Sequence, residues 1–424
     1  MPSRPTTTPE LTPEQRREKL RQLLERKARQ GRTYPLSLGQ EALWILDRLD
    51  PGRPTYGFYP AVRLRGPLDL DVVERCLAEI LRRHDVLRTT YPEVNGAPVQ
   101  RVAPFVSYKL PVLDLSDLPE AEREAEARRI VGERRPLDLQ NGPVVRVQAL
   151  RLGKDDHVVL LHIHHLAFDG WSTGLLGYEL LALYPAFQAG HPSPLPELPI
   201  QYADFAVWQR QLMHSERLDQ LRAHWRQRLD GLPPLDLATD YPRPSVRTSH
   251  GDTLPVAFSR ELSEAVLGFS RRERVTPFMT VLAAFQELLR RYSGQEDFAV
   301  GTPTANRRQR KVEPLVGYFI NVLVLRADLH GDPSFRELVQ RVRSTSLEAY
   351  EKQDLTLDQI TEAVQPERDL SRHPLFQVML ILQNNPRPKV QLPDLEVVPL
   401  GSVEHARTAK FELTMPLRVT PAGL

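Results

Sequence analysis

Between His157 and Leu176 the chain reads HVVLLHIHHLAFDGWSTGLL, which sets four histidines, an aspartate and a serine within twenty residues. The apolar run predicts a strand over Val158–His165. The polar break at Asp169-Gly170 predicts a loop, and Ser172 or Thr173 the start of a helix reaching Gln188. Alternate residues of a strand share a face, so Val159, Leu161, Ile163 and His165 point together while His162 and His164 point the other way. The two adjacent histidines therefore meet different surroundings, and one of them faces any given cavity. Asp169 follows closely enough to brace the loop. Gly170 leaves room for backbone or substrate to approach.

Three chemistries compete for these residues. His162 and His164 share a strand face and could begin a metal site, but that needs a third ligand, and no downstream His-x-His or Cys supplies one. Gly170-Trp171-Ser172-Thr173-Gly174 matches the G-x-S-x-G pattern of serine hydrolases. Against it, several residues separate Ser172 from the strand, no HGGG-type oxyanion segment is present, and Ser172 suits a helix N-cap equally well. In the third reading His165 is a catalytic histidine acting on a substrate held between two lobes. Composition leaves that open, because a histidine at a strand end is more often structural.

The elements that must hold these residues come from a chain of 424 residues, long enough for two or three domains and a large core. Lys and Arg total 56 against 54 Asp and Glu, and a net charge of +2 argues against a nucleic-acid partner. A hydrophobic content of 41% with 26% charged residues fits a soluble folded protein. No apolar run is long enough to span a membrane, and the N-terminus shows no secretory signal. The single cysteine, Cys76, forms no intrachain disulfide and offers no Cys-based metal site. These features predict a cytoplasmic protein. The 38 prolines imply many rigid connections.

Residues 1–12 are Pro/Thr-rich and predicted to be disordered. Pro13–Arg32 reads as a basic helix with Thr12 as N-cap, either a solvated linker or a docking element. Strands are expected at Val62–Leu64, Pro143–Leu152 and Val158–His165, with helices at Asp69–Arg83 and Thr173–Gln188. The proline-dense segment 191–199 reads as a linker. Beyond it follow a helix over Tyr202–Leu229, a strand at Thr253–Phe258, and helices at Ser263–Arg272 and Phe278–Tyr292. Strands at Phe298–Gly301 and Ile320–Asp328, a helix at Ser334–Tyr350, a strand at 376–382 and two shorter strands close the chain. Both halves mix strands and helices in this way, which predicts two α+β lobes, 33–190 and 191–424, rather than one doubly wound sheet.

His164-His165-Leu166-Ala167-Phe168-Asp169-Gly170 resembles the HHxxxDG signature of nonribosomal peptide synthetase condensation domains. The resemblance runs in order through most of the chain. Leu36-Ser37-Leu38-Gly39-Gln40 with Leu43-Trp44 is similar to the first family motif, with Gly39 where alanine is usual. Arg83-His84-Asp85 with Leu87-Arg88-Thr89 is similar to the second, with Asp85 for glutamate. Tyr202-Ala203-Asp204-Phe205 with Trp208 resembles the fourth, and Val316-Gly317-Tyr318-Phe319-Ile320-Asn321 the fifth. Gln353-Asp354 begins a degraded sixth, in which Leu355, Thr356 and Leu357 replace the usual aromatic and Pro-Phe elements. Arg368-Asp369 through Ser371-Arg372-His373-Pro374-Leu375 is similar to the seventh, with His373 for asparagine.

The resemblance implies two chloramphenicol-acetyltransferase-like lobes in a V-shaped pseudo-dimer with a central tunnel. It implies an acyltransferase that joins a donor acyl or peptidyl thioester to the amine of an acceptor aminoacyl thioester without an acyl-enzyme. Both substrates would arrive on phosphopantetheine arms of carrier proteins, next to an adenylation domain. The domain itself would hold no cofactor and no metal, and would meet neither nucleic acid nor membrane. His165 becomes the central residue and the Gly170 N–H a donor to the oxyanion. Asp169 is expected to pair with an arginine of the second motif, Arg83 before Arg88, and His164 to be packed and hydrogen-bonded. Trp44, Tyr202, Asp204, Trp208, Asn321, Arg368, Asp369 and Arg372 are expected as scaffold or tunnel wall. Family members continue past Lys410–Thr414 with further structure, so the C-terminal lobe is expected to be truncated. The paired histidines argue against the heterocyclising branch, which has aspartates there, and Trp171-Ser172-Thr173 against the epimerising one. A catalytically silent recruitment module of the same fold remains the alternative from another class.

Overall fold

A computed structural model describes residues 32–49, 56–133, 135–213, 216–248, 250–367, 369–383, 394–400, 409–418 and 423–424. Most of the basic segment from Pro13 lies outside the described residues; its last residue, Arg32, opens strand β1 (Arg32–Pro35). In the first half follow α1 (Leu38–Leu49), β2 (Gly57–Phe58), β3 (Ala61–Arg65), α2 (Leu70–Arg83), β4 (Thr89–Thr90), β5 (Glu93–Val94) and β6 (Ala97–Val102). They lead to β7 (Val112–Asp114), α3 (Glu120–Gly132), β8 (Val145–Gly153), β9 (Asp156–His164) and α4 (Gly170–Gln188). In the second half come α5 (Tyr202–Leu212), α6 (Glu216–Arg228), α7 (Arg260–Arg272), α8 (Pro277–Ser293), β10 (Asp297–Thr304) and β11 (Asn321–Asp328). The chain closes with α9 (Phe335–Glu351), α10 (Leu357–Val364), β12 (Val378–Gln383), β13 (Glu396–Leu400) and β14 (Leu413–Arg418).

Local chemistry explains the strongest elements. Val72, Val73, Cys76 and Ile80 recur at helical spacing and are buried, and Asp69 caps α2 by accepting from the Asp71 and Val72 N–H groups. Thr276 and Pro277 start α8, which Gly294 ends in the left-handed conformation at φ 72°. Expected strand Thr253–Phe258 is irregular instead. Pro255 lacks a ladder donor, and Leu254 and Val256 are exposed with no partner strand among the described residues. The expected helix Tyr202–Leu229 is two helices, α5 ending at its C-cap Met213 and α6 beginning at Glu216.

Two mixed sheets carry the halves, as expected for α+β lobes. One has the order β13-β3-β9-β8-β7 with β2 also paired to β9; the other runs β11-β10-β12-β14. β13 comes from the far end of the chain yet pairs antiparallel with β3, Val398 opposite Arg63. The core around β9 likewise takes Tyr202, Phe205, Val312, Leu315, Val316 and Phe319 from beyond the proline-rich linker. A separate core packs α6, α8 and α9 against β10, β11 and β12. The segment between β10 and β11 thus leaves one core and inserts into the other, and this strap reaches the histidine loop.

Candidate active site

β9 stops at His164, whose N–H donates to Val144 O at 3.0 Å. A single 3-10 turn follows over His165–Ala167, and the His164 Nδ1 accepts from the Leu166 N–H at 3.1 Å. Leu166, Ala167 and Phe168 are all buried. Three apolar side chains in a row therefore anchor the turn and leave His165 as the residue turned outward. This corrects the strand alternation expected at His165, because strand geometry ends one residue earlier. His164 is buried and hydrogen-bonded, with Nε2 3.7 Å from Asp47 Oδ1. One of its ring nitrogens is thereby committed, and no group of three metal-ligating side chains occurs among the described residues.

His165 Nδ1 lies 2.6 Å from Phe168 O. A carbonyl oxygen only accepts, so Nδ1 carries the proton and the neutral ring offers a lone pair at Nε2. That Nε2 makes no hydrogen bond among the described residues. The ring meets Tyr318 of the strap edge-on, with centroids 5.3 Å apart, and Phe58 of β2 at 6.4 Å. Burial, followed by the charge of Lys410, pushes the imidazole pKa down to about 4, against the weaker pull of its bond to Phe168. At neutral pH the ring is uncharged.

Asp169 is the N-cap of α4, so the helix begins at Gly170 rather than at Ser172 or Thr173. Its Oδ1 accepts from the Ser172 N–H at 2.8 Å and from the Ser172 hydroxyl at 2.7 Å, and its Oδ2 from the Phe319 N–H at 3.2 Å. Ser172 Oγ also accepts from the Gly317 N–H at 3.1 Å and is fully buried. A nucleophile needs an exposed oxygen beside a base. This one is spent on a carboxylate and a backbone amide, so the hydrolase reading fails. Gly170 is the first helical residue, where N–H groups have no intrahelical partner and the helix dipole favours negative charge.

The ion-pair partner of Asp169 is Arg307, not Arg83 or Arg88. Arg307 Nη2 lies 3.2 Å from each carboxylate oxygen, with both side chains buried. Its Nη1 donates to Val312 O and Leu315 O, and the guanidinium lies 4.0 Å from the centre of the Phe319 ring. Arg83 instead donates to Glu179 Oε1 at 2.8 Å, beside His84, whose Nε2 lies 2.9 Å from Glu179 Oε2. Glu179 is ten residues along α4 from Asp169, about 15 Å at the helical rise. Arg83 at the end of α2 thus meets the middle of α4, not its beginning. Arg88 pairs with Asp85 and caps Leu81 O.

The other motif residues hold these pieces. Gln40, buried in α1, donates to Leu166 O at 3.1 Å and to Tyr91 Oη at 3.2 Å, which fixes the histidine turn. Trp44 Nε1 donates to Tyr91 O. Tyr202 hydrogen-bonds with Ser37 Oγ and donates to Tyr318 O, joining α1, α5 and the strap. Asp204 completes the capping box of α5. Asn321 donates to Gln353 O and Leu355 O at 2.7 Å. Trp208 is 41% exposed and lines an outer groove with Leu212, Leu221 and Asp354, so it is not a wall of the His165 site. Asp369 accepts from the Ser371 N–H, and Arg372 pairs with Asp236 and shares a cleft with Arg247. Arg368 lies outside the described residues.

Sequence reasoning missed Arg307, Tyr318, Phe58 and Lys410. Arg307 begins the run Arg307-Arg308-Gln309-Arg310, whose charge reads as a solvated loop, so no local signal marked it. Tyr318 and Lys410 stood inside quoted segments without any sign of what they would touch.

The family model described as "Condensation domain" matches residues 30–424. One of the linear gramicidin synthase proteins of Brevibacillus parabrevis is 43% identical over 93% of this chain, and phosphinothricin tripeptide synthetase PhsC of Streptomyces viridochromogenes is 41% identical over 90%. The chain spans 8% and 36% of the length of those relatives. Among solved structures, the X-domain from teicoplanin biosynthesis superposes with a TM-score of 0.79 at 26% identity, covering 91% of this chain and 85% of that one. The SgcC5 protein from Streptomyces globisporus superposes at 0.72 with 31% identity, covering 92% and 91%.

Proposed function

The chain belongs to the condensation-domain family, and we propose that it forms an amide bond between a donor acyl or peptidyl thioester and the amine of an acceptor aminoacyl thioester. The observation that carries this reading is the tautomer of His165. With its proton committed to Phe168 O, the ring meets substrate as a hydrogen-bond acceptor at Nε2.

Such a group accepts from the attacking amine and orients it toward the thioester carbon. An α-amino group titrates near 7.7–8.0, so a useful fraction is already neutral at cellular pH and no strong base is required. His165 therefore serves by positioning, which can supply several kcal/mol. The Gly170 N–H, at the positive end of α4, is the donor for the oxyanion. Asp169 and His164 hold the loop and do not touch substrate. The substrates come on phosphopantetheine arms of a donor and an acceptor carrier protein, in a larger cytoplasmic synthetase that also carries an adenylation domain. The gramicidin and phosphinothricin synthetase relatives support that setting. No helix among the described residues is long and apolar enough to cross a membrane.

The test compares wild type with His165→Ala using loaded donor and acceptor carriers, read by intact-protein mass spectrometry. The variant is expected to fold normally and to form amide at least about 100-fold more slowly. Near-normal turnover by the variant would remove His165 from the mechanism. A second reading, a recruitment module, is favoured by one fold neighbour, the teicoplanin X-domain, which was solved in complex with OxyB. It predicts carrier or partner binding without any amide product from the wild type.

A further inference from the structure

Lys410 lies just before β14, and its ammonium stands 4.8 Å from the centre of the Tyr56 ring. The antiparallel ladder ends with Gly57 opposite His164, and Tyr56 and His165 are the next residues beyond that end. A side chain that covers Tyr56 therefore reaches from the second half to the edge of the histidine site. Its backbone is held on both sides. Arg247 Nη1 donates to Lys410 O at 3.0 Å, and Phe411 stacks on Phe376 with centroids 5.0 Å apart.

Lys410 Nζ has no ion pair or hydrogen bond among the described residues. The residue is exposed to solvent, and the protein around it still lowers the pKa of its ammonium. An ammonium carries three N–H donors and no acceptor. With no carboxylate paired to it among the described residues, it is a fixed charge available to a transient anion.

We propose that Lys410 is a second catalytic residue, which donates to the oxygen that becomes anionic when the acceptor amine adds to the donor thioester. This rests on the condensation reading above. In the addition, the amine lone pair forms the C–N bond and the carbonyl π pair moves onto oxygen, where Lys410 meets it while keeping its proton. Collapse restores the C=O bond and expels the thiolate, and the proton lost by nitrogen ends on that sulfur. His165 thus serves the nitrogen and Lys410 the oxygen, beside the Gly170 N–H.

The experiment uses Lys410→Gln and Lys410→Arg with two independent readouts. In single-turnover assays with loaded carriers, Lys410→Gln is expected to slow the chemical step about 100-fold. Affinity for the loaded acceptor carrier and the melting temperature should stay unchanged, and Lys410→Arg should recover part of the rate. In an NMR titration of the His165 imidazole, whose charged and titratable neighbours are Lys410, Asp169, His164 and Tyr318, Lys410→Gln should raise the midpoint because a repelling cation is gone. Full rate in Lys410→Gln, a loss explained by weaker carrier binding, or an unmoved midpoint would each overturn the assignment. If the wild type forms no amide while the midpoint still moves, the condensation reading falls and the catalytic role with it, although the place of Lys410 beside His165 stands.

Discussion

Asp169 and Arg307, 138 residues apart in sequence, close a buried ion pair at 3.2 Å. The pair does more than neutralise a carboxylate. Asp169 also caps α4 and accepts from the Phe319 backbone, while Arg307 gathers the Val312 and Leu315 carbonyls. The strap and the histidine loop are thereby one unit, which fixes Tyr318 against His165.

Removing the cation should therefore be severe. Arg307→Met leaves Asp169 buried and unpaired, and is expected to lower stability by about 3–5 kcal/mol in urea unfolding. Asp169→Asn should cost less once Arg307 is already absent, since the two share one interaction. Strictly additive losses would show that the pair does not couple.

His165 and His373 are both held at about 4, below the ordinary histidine value near 6.5; burial is the main cause in each, then Lys410 for the first and Arg247 for the second. A depressed native pKa means that the unfolded chain takes up the protons first. The stability contributed by these neutral rings is thus complete above about pH 6.5 and is lost as pH falls toward 4. Melting temperature should decline across that window, and less steeply in His373→Phe. For turnover, the rate should rise with pH through the titration of the acceptor amine, near 7.7–8.0, with no inflection near 6.5. An inflection near 6.5 that vanishes in His165→Ala would contradict the neutral-ring mechanism.

Ser172→Ala separates a structural hydroxyl from a nucleophile. Loss of the Ser172 Oγ leaves the Gly317 N–H without its acceptor and Asp169 short of a donor. The expected cost is about 1–3 kcal/mol of stability, with amide formation retained below the melting point. A stable variant with no turnover would reopen the hydrolase chemistry.

Gly39, in α1, packs against the ring of Tyr318. A methyl group there would lie 2.9 Å from Tyr318 Cε1 and 3.2 Å from Cδ1. Gly39→Ala should push the Tyr318 ring against His165, shift the His165 imidazole resonances and cost about 1–3 kcal/mol by overpacking. Unchanged resonances with an unchanged melting temperature would mean that the ring moves aside freely.

Much of the local structure was legible because its causes are local. The stripe of Val72, Val73, Cys76 and Ile80, with Asp69 ahead of it, settles α2 from spacing and capping alone. Thr276-Pro277 and Gly294 do the same for α8. The ordered motifs pointed to the family and to His165. Short strands such as β4 and β5, and the break between α5 and α6, carry no comparable period and were not legible.

What the amino-acid order determined by itself was the set of groups at the centre: the paired histidines, the aspartate and the glycine beside it. What only the tertiary structure decided was their partners. A charge interacts with any opposite charge that the fold brings near, whatever the sequence distance. Asp169 could therefore not be matched to Arg307 before the strap was seen to cross between cores. The same holds for Lys410, which β14 and the Tyr56 contact carry to the edge of a histidine loop 245 residues earlier, counted from His165.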